Sequence, residues 1–483
     1  MPLEKSLYGS RFLPIDSIAS IREPFVEGRK VRIAGRLMGH RVMGKSAFGD
    51  LKDQCARIQL YAKKDELGDE LYGAFKALTA GDILGVEGEL FFSKSGEPTV
   101  RIVKFEMLSK IVRSLPEKWH GLKDVETRYR HRYVDLIVND DVRRTFETRS
   151  RILKDIRRFL DEKDFMEVET PMMQSIPGGA LARPFVTHHN TLDIDLYLRV
   201  APELYLKRLL VGGFERVYEV NRNFRNEGIS TRHNPEFTML ELYQAYADYH
   251  DMMDITEEMM NGLVKALHEG KEEIAYGEKT LNFARPWKRL SFYDALKEKT
   301  GVDFKAMPVR EAAQKAGFNF GPGATDVDIL DEVFGEKVES ELVNPTFILD
   351  YPASMSPLAK AREDDSTLTY RFELFIAGME LANAFSELKD PHDQRRRFNE
   401  QKAAIGEHKV IDEDFLTALE YGMPPAGGLG IGIDRLVMLL TNKTSIRDVV
   451  LFPQMRPEKN SGARPGIIGQ DDEVLKEADQ HEI

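Results

Sequence analysis

The first hundred residues alternate short apolar and polar runs that are separated by glycine and charged turns. Four runs, VRIAGRLM, ARIQLYA, DILGVEGELFF and PTVRIVKFEML, have the period of two that is typical of strands with one buried face. A helical pattern at residues 69–78 interrupts them, and we interpret KSAFGD as a loop. After an N-terminal segment of residues 1–24, the pattern therefore predicts a small antiparallel barrel of the OB type over residues 25–111.

The pattern changes in the second part of the chain. A basic linker at residues 112–139 leads into a helix at residues 140–163, where Ile152, Ile156 and Leu160 recur at helical spacing. From residue 165 onward, strand-like and helical stretches alternate without a regular rhythm, which favours a mixed, largely antiparallel sheet flanked by helices. We predict an α+β domain over residues 140–457, with a helical insertion at about 290–342. The polar, acidic tail at residues 458–483 is expected to be disordered.

Composition narrows the class of protein. The 483 residues carry a formal net charge of −12, which argues against a protein that coats nucleic acid over its whole surface. Basic residues are instead concentrated between residues 22 and 45 and between residues 110 and 158. The single cysteine excludes an internal disulfide and multi-cysteine zinc sites. Because there is no apolar leader and no run of about 18 apolar residues, we expect a cytoplasmic protein without membrane contact.

The stretch VYEVNRNFRNEGISTRHNPEFTMLELY predicts a strand, a loop that carries Arg232 and His233, and a returning strand. Alternation along the two strands brings polar and aromatic side chains onto shared faces: Asn221, Asn223, Arg225 and Glu227 on the first strand, and Phe237, Met239, Glu241 and Tyr243 on the second. A nucleotide site needs an arginine for phosphate, a ring for the base and a carboxylate for an amine. An ordinary exposed hairpin needs none of these.

A second hairpin is predicted in YRFELFIAGMELANAFSELKD, with its turn at Ala377 and Gly378. In this register Glu373 lies diagonally across from Glu380, so two carboxylates meet on one face. A cation has to neutralise them, and hard carboxylate oxygens suit Mg²⁺ that is bound with a polyphosphate. Strict alternation puts Asn383 and Glu387 on the opposite face, so a bulge or bend is required if all of these residues are to reach one substrate.

These segments resemble the three motifs of class II aminoacyl-tRNA synthetases. FRNE with Phe237 is similar to motif 2, and the strand of LGIGIDRLVML that ends before Arg435 is similar to motif 3, although alone it reads as a tightly packed strand. EVETPM is similar to motif 1, which forms a homodimer interface in that family. The resemblance implies that Arg225 and Arg435 are catalytic and bind the α- and γ-phosphates, and that the glycines at positions 427, 428, 430 and 432 let adenosine approach the sheet. It implies an ATP site of Arg225, Glu227, His233, Asn234, Phe237, Glu380 and Arg435, and Mg²⁺ on Glu373 and Glu380.

The substrate is indicated by acidic side chains, because a buried ammonium is tolerable only beside such partners. Candidates are Glu203, Glu241 and Glu387, with Tyr243 beside them. These blocks, with LPEKWHGLKDVETRYRHRYVDLI and IPGGALARPF, resemble bacterial lysyl-tRNA synthetases from about residue 31 to 457. The resemblance and the residues together give an L-lysine site of Gly179, Glu203, Arg225, Glu241, Tyr243, Asn383 and Glu387. The resemblance also implies that the barrel reads the anticodon of tRNA(Lys) through Phe48, Gln59 and Glu97.

The expected reaction joins ATP and L-lysine into lysyl-adenylate and then transfers lysine to the 3′ end of tRNA(Lys). Three alternatives remain. A synthetase for aspartate or asparagine would need cationic groups around the substrate side chain. An enzyme that modifies a protein through lysyl-adenylate would resemble the catalytic half alone, and a non-catalytic RNA-binding or signalling module should have lost Arg225, Arg435 or the glutamate pair.

Overall fold

A computed structural model describes residues 8–116, 122–180, 182–405 and 410–457. The chain divides into two compact units, Met1–Asp124 and Val125–Ile483. The elements of the first unit are, in order, α1 (Ile18–Arg22), β1 (Lys30–Met43), β2 (Ser46–Lys52), β3 (Arg57–Lys63), α2 (Lys64–Lys76), β4 (Ile83–Phe92) and β5 (Pro98–Ser109).

The five strands described in the first unit close into a barrel with the order β1-β2-β3-β5-β4. Closure is achieved by β1, whose first half pairs with β4 and whose second half pairs with β2. The inward side chains of the strands, among them Ile33, Leu60 and Val86, are fully buried. The predicted OB-type barrel is therefore confirmed.

Two local predictions in the barrel were wrong. KSAFGD was interpreted as a loop, but Ser46–Lys52 is a strand in which Ala47, Gly49 and Leu51 are buried. Two of these inward residues are small, so the apolar alternation was hidden in the sequence. The helix begins at Lys64 rather than at residue 69 and is interrupted at Gly68, whose φ of 78° breaks the helical periodicity.

The second unit combines helices with short and long strands. Its described helices are α3 (Val125–Arg130), α4 (Arg132–Val138), α5 (Asp140–Asp161), α6 (Glu203–Val211), α7 (Tyr249–Leu267), α8 (Phe292–Thr300), α9 (Val309–Lys315), α10 (Asp326–Lys337), α11 (Pro391–Ile405), α12 (Glu413–Glu420), α13 (Ile433–Leu440) and α14 (Ile446–Val449). Its described strands are β6 (Met166–Glu167), β7 (Met173–Gln174), β8 (Val186–His189), β9 (Ile194–Leu198), β10 (Arg216–Phe224), β11 (Glu236–Ala245), β12 (Glu273–Tyr276), β13 (Lys279–Asn282), β14 (Lys288–Ser291), β15 (Thr346–Leu349), β16 (Arg371–Ile376), β17 (Met379–Ser386) and β18 (Ala426–Gly432).

Eight of these strands form one sheet in the order β14-β15-β16-β17-β18-β11-β10-β6. All neighbours are antiparallel except the outermost pair at each edge, β14 with β15 and β6 with β10. This is the predicted mixed, largely antiparallel sheet. Its central strands β17, β18, β11 and β10 carry the segments that the sequence singled out.

The main core lies on one face of this sheet. Ile152, Ile156 and Leu160 of α5 are fully buried there, together with residues of α7 and α13. On the sheet side, Leu240 and Leu242 of β11 belong to the same core. Because strand side chains alternate between faces, the residues between them point to the other face, where the candidate site lies.

The stretch predicted as a linker contains α3 and α4, and the stretch predicted as an insertion contains α8, α9 and α10 around a small core of their own. The predicted acidic tail lies outside the described residues. Among the helices that the structure describes, none combines the length and the apolar character needed to cross a membrane. The boundaries of the predicted domains stay predictions.

Candidate active site

The face of the sheet opposite the main core carries polar side chains along β10 and β11. In the antiparallel register Glu219 lies opposite Glu241, and Asn223 lies opposite Phe237. The alternation predicted from the sequence holds up to Phe224, where β10 ends. The alternation predicted that Arg225 is a strand residue, but it lies just beyond the end of β10. Its cross-strand neighbour Pro235 has no N–H with which to continue the hydrogen-bond ladder. The Arg225 N–H still donates to the Pro235 carbonyl at 2.9 Å.

The Arg225 guanidinium lies over an aromatic ring. Its Cζ is 5.0 Å from the centroid of Phe237, and its buried Nε has no hydrogen-bond partner among the described residues. A guanidinium held on a ring can direct its N–H edge at two oxygens at once. This geometry suits a phosphate and a carboxylate that meet at the end of β10.

Arg435 enters the same region from the first turn of α13. It donates to the backbone carbonyl of Glu380 at 2.6 Å and lies 3.6 Å from the carboxylate of that residue. It also donates to His233 Nε2 at 3.2 Å, while His233 Nδ1 is hydrogen-bonded to Ser230 Oγ at 2.9 Å. Burial, together with the Arg435 charge, lowers the pKa of His233, so the neutral imidazole is the acceptor that orients this arginine.

A buried ion pair fixes the start of α13 against β11. Asp434 is 2% exposed and accepts from Arg149 of α5 at 2.6 Å. Its other oxygen accepts from the Thr238 backbone N–H at 2.7 Å, and Arg149 donates to Thr238 Oγ1 at 3.0 Å. Charge-assisted hydrogen bonds of this kind hold geometry more firmly than neutral ones. Arg435 and Phe237, the neighbours of the two tied residues, are thereby kept at a fixed separation.

The hairpin of β16 and β17 contains the bulge that the sequence required. Phe375 pairs with Glu380, as predicted, but the register then shifts and Glu373 pairs with Asn383. Leu381 is the extra residue on β17. Glu373 and Glu380 are therefore not diagonal neighbours in a regular ladder, as was predicted, because the bulge lies between them. The bulge lets Glu380 and Asn383 face one cavity.

Glu373 and Glu380 are the two carboxylates predicted to bind Mg²⁺. Glu373 accepts from Tyr351 at 2.7 Å and from Arg371 at 2.5 Å. Burial raises the pKa of Glu373 to about 7, which Arg371 opposes and the charge of Glu380 increases. Within the described residues, no group of three or more histidine, cysteine, aspartate or glutamate side chains could hold a metal. Two carboxylates nonetheless fit a Mg²⁺ ion that takes its remaining ligands from phosphate and water.

A first cavity of about 180 Å³ lies between these elements. All seven residues predicted for ATP line it: Arg225, Glu227, His233, Asn234, Phe237, Glu380 and Arg435. Three arginines, with Arg232 as the third, line it beside the carboxylates of Glu227 and Glu380, and their guanidinium groups suit the oxygens of a polyphosphate.

A second cavity of about 260 Å³ shares Asn383 with the first. Of the residues predicted for lysine, Gly179, Glu203 and Asn383 line it. Arg371 donates to Asn383 Oδ1 at 3.1 Å, which turns the amide nitrogen of Asn383 away from this arginine. The two cavities therefore meet at the side-chain amide nitrogen of Asn383, which is a hydrogen-bond donor. It lies beside the end of the sheet that carries Arg225.

The other predicted lysine ligands are buried beside this cavity and do not line it. Glu241, Tyr243 and Glu387 are at most 5% exposed, and Tyr243 donates to Glu241 at 3.4 Å. Burial raises the pKa of Glu241 to about 8, and the charge of Glu203 adds to this shift. Burial also raises the pKa of Glu387, although the ammonium of Lys207 opposes it. Lys207 partly neutralises Glu387, and a further cation is favoured here, because ionising these carboxylates in an apolar site is otherwise unfavourable.

The glycines of β18 have different neighbours. Gly430 and Gly432 line the first cavity, in keeping with the prediction that adenosine approaches the strand. Gly428 instead faces the buried carboxylates: an added Cβ would lie 2.0 Å from Glu387 Oε1 and 2.5 Å from Tyr243 Cε1. At Gly427 it would lie 2.7 Å from the Asp248 carbonyl. At these two positions the space left by the missing Cβ is occupied by other atoms of the protein rather than available to a nucleotide.

The barrel presents a separate candidate surface. Phe48 of β2 lies 5.0 Å from the ring of Tyr61, which lies 5.7 Å from Phe91. Arg101 covers Phe91 at 4.8 Å. Gln59, on the same strand as Tyr61, accepts a hydrogen bond from Thr99 at 3.1 Å. Glu97, two residues before Thr99 in the sequence, is exposed. Adjacent rings and an arginine are the elements on which single-stranded bases stack.

Comparison with known proteins agrees with this geometry. A family profile described as "tRNA synthetases class II (D, K and N)" matches residues 124–456, and one described as "OB-fold nucleic acid binding domain" matches residues 31–108. The first match alone covers more than half of the chain.

The chain belongs to the class II tRNA synthetases.

Similar proteins within this class carry one name. The chain is 58% identical over 460 residues to "Lysine--tRNA ligase" of Carboxydothermus hydrogenoformans, covering 93% of this chain and 94% of the relative. It is 57% identical over 465 residues to the protein of the same name from Pelotomaculum thermopropionicum, covering 94% and 92%. The protein of that name from Moorella thermoacetica is 56% identical over 462 residues, covering 94% of each chain.

Sequence reasoning missed several residues of this class II site. Lys207 forms ion pairs with Glu203 and Glu387, and Arg371 contacts both Asn383 and Glu373. The spacing of Glu203 and Lys207 by four positions on one helix was a usable signal for the first pair. Nothing in the sequence around Arg371 distinguishes it from an exposed strand arginine.

Proposed function

We propose that this class II synthetase is a lysine--tRNA ligase that acts in the cytoplasm, where it forms lysyl-adenylate from ATP and L-lysine and transfers lysine to tRNA(Lys). One observation carries the choice of amino acid. Three buried glutamates adjoin a cavity that shares Asn383 with the arginine-lined first cavity. An aspartate side chain would be repelled there, and a neutral asparagine side chain would leave the carboxylates without a cation. Lysine supplies the ammonium that the buried carboxylates require.

The first step needs no general base, because the lysine carboxylate is ionised at neutral pH. A carboxylate oxygen attacks the α-phosphorus, the bond to the bridging oxygen breaks, and pyrophosphate leaves. Arg225 binds the carboxylate and the α-phosphate together, which aligns them and offsets the charge of the transition state. Asn383 donates to the same carboxylate. In the second step the 3′-terminal hydroxyl of tRNA attacks the carbonyl carbon, and AMP leaves.

The nucleotide is held by the residues of the first cavity. Phe237 stacks on adenine, Glu227 accepts from its amine, and His233 and Asn234 line the ribose and phosphate side. Arg435 binds the γ-phosphate while neutral His233 accepts one of its N–H groups and fixes its direction. Glu373 and Glu380 would hold Mg²⁺, which would neutralise phosphate charge when bound.

Glu380→Gln is expected to raise the Mg²⁺ concentration that gives half-maximal ATP–pyrophosphate exchange, because one carboxylate ligand is lost. An unchanged Mg²⁺ requirement would contradict the assignment of Glu373 and Glu380 as Mg²⁺ ligands.

We infer a homodimer from the segment around Pro171. Met166, Met172 and Met173 are 50%, 44% and 55% exposed. Exposed methionines are apolar side chains of the kind that favour association with another chain. Sedimentation at micromolar concentration tests this, since a species of one chain would exclude a stable dimer.

Phe48→Ala is expected to raise the KM for tRNA(Lys) by roughly 5- to 100-fold, because base stacking on an aromatic side chain contributes about 1–3 kcal/mol. The rate of ATP–pyrophosphate exchange without tRNA should stay unchanged. Phe92→Ala is the matched control, since this exposed ring packs on Phe25 instead of Tyr61. Equal effects of the two substitutions on tRNA charging would argue against the proposed anticodon surface.

The KM for lysine is expected to fall as the pH rises from about 6.5 to about 8 and then to level off. Burial raises the pKa of Glu241 to about 8, so below this pH the free enzyme holds a neutral carboxyl group. The charges of Glu203 and Glu219 reinforce this neutral state, whereas Arg225 and the hydrogen bond from Tyr243 oppose it. The lysine ammonium favours the ionised form, so each unit below about pH 8 costs up to about tenfold in affinity. Glu241→Gln should flatten this profile, and a flat wild-type profile would contradict it.

A further inference from the structure

Lys207 is a buried ammonium that already binds two of the proposed lysine ligands. Its side chain is fully buried on α6. Its Nζ lies 2.6 Å from Glu203 Oε1 and forms a second ion pair with Glu387 Oε2. The ring centroid of Phe385 lies 5.2 Å away. The three N–H groups of the ammonium therefore face two carboxylates and one aromatic ring.

The ionised groups of the pocket can be counted. Glu203, Glu241 and Glu387 supply three negative charges when ionised, and Lys207 supplies one positive charge. Two negative charges are left over. Free lysine carries two ammonium groups, at its α- and ε-positions, and its carboxylate is matched by Arg225. With the Lys207 ammonium in place, the ionised pocket therefore keeps two negative charges, which balance the two ammonium groups of the substrate.

The oxygens of Glu387 are divided in the same way. Oε2 pairs with Lys207, whereas the buried Oε1 has no hydrogen-bond partner among the described residues. It lies against the Cα side of Gly428, beside the ring of Tyr243. An unpaired, buried carboxylate oxygen is costly unless a ligand binds it. It is the oxygen that remains for a substrate ammonium.

We propose that Lys207 is a positioning residue for lysine recognition: it bridges Glu203 and Glu387 through one oxygen of each and leaves their other oxygens to the two ammonium groups of the substrate. The inference rests on the proposed function. Its failure is distinguishable, because wild-type exchange with lysine tests the function, while variants of Lys207 test the bridge. The ion pair with Glu387 joins α6 to the residue that follows β17, so Lys207 links two of the proposed lysine ligands that come from different segments of the chain.

Lys207→Met keeps the apolar stem and removes the charge. The expected result is a lysine KM raised by at least about 30-fold in ATP–pyrophosphate exchange, because the carboxylates lose a buried partner, with the KM for ATP unchanged. The pH at which the lysine KM levels off should move up by about one unit, since Glu387 then faces only Glu203, Glu241 and Tyr243. Lys163→Met is the control, because this lysine pairs with Glu258 at the surface.

Rescue by a small amine separates positioning from folding. In Lys207→Ala, propylammonium restores the missing stem and charge and should lower the lysine KM toward the wild-type value, whereas 1-propanol should not. A lysine KM that is unchanged in Lys207→Met overturns the proposal. A lowered lysine KM does so too, because Lys207 would then be a competitor of the substrate ammonium. A variant that stays unfolded in propylammonium would assign Lys207 to the fold alone and reject the proposal as well.

Discussion

Arg225→Ala is expected to lower the rate of lysine-dependent ATP–pyrophosphate exchange by at least about 1000-fold, because one group both aligns the reactants and offsets the transition-state charge. The melting temperature should change by no more than about 2 °C. Arg225 lies beyond the end of β10, and its guanidinium contacts the Phe237 ring rather than a buried carboxylate. Exchange kinetics and circular dichroism measure the two quantities on the same preparation.

Arg222→Ala is the matched control for this prediction. Arg222 lies on β10, shortly before Arg225, and points to the other face, where its partner is Glu236 at 3.8 Å. Loss of this positive charge should leave exchange within about twofold of the wild type, since surface substitutions change little. If Arg225→Ala exchanges pyrophosphate at a rate similar to that of Arg222→Ala, the assignment of the catalytic arginine is wrong.

Gly428→Ala is expected to raise the KM for lysine by about 100-fold or more and to leave the KM for ATP close to the wild-type value. A Cβ at this position would lie 2.0 Å from Glu387 Oε1, so the carboxylate has to move away from the substrate ammonium. Breaking a buried ion pair by displacement of one partner costs about 3–5 kcal/mol. Gly428 is not among the glycines with positive φ, so alanine causes no backbone strain that would obscure the result.

The neighbouring glycine on the same face provides the comparison. At Gly430 a Cβ would meet the flexible end of Met239 at 3.2 Å, and this residue lines the first cavity. Gly430→Ala should therefore raise the KM for ATP more than that for lysine. If Gly428→Ala alters ATP binding and spares lysine, the division of β18 between the two substrates is incorrect.

Much of the site followed from strand alternation in the sequence. The register of the β10–β11 and β16–β17 hairpins is a local property, and the pairing of Phe375 with Glu380 was predicted from the turn at Ala377 and Gly378 alone. Seven of the side chains that line the first cavity were predicted from the two hairpins and the family motifs. Local spacing was sufficient in the two hairpins, because each hairpin places its residues on two strands that are adjacent in the sequence.

The remaining features depend on contacts between distant segments. The bulge at Leu381 was recognised as necessary, but its position is determined by how β17 pairs with both neighbours. Glu387, which directly follows β17, pairs with Lys207. The two residues lie far apart in the sequence, so no spacing rule indicates the pair. β2 was missed for a local reason, since small inward residues such as Ala47 and Gly49 do not give an apolar signal.

The most direct measurement of the central claim is ATP–pyrophosphate exchange with each of the twenty amino acids, with and without tRNA(Lys). The account predicts exchange with L-lysine well above that with any other amino acid, followed by transfer of labelled lysine to the 3′ end of tRNA(Lys). Exchange supported by aspartate or asparagine but not by lysine would contradict it, because the buried carboxylates Glu203, Glu241 and Glu387 would then have no cationic substrate.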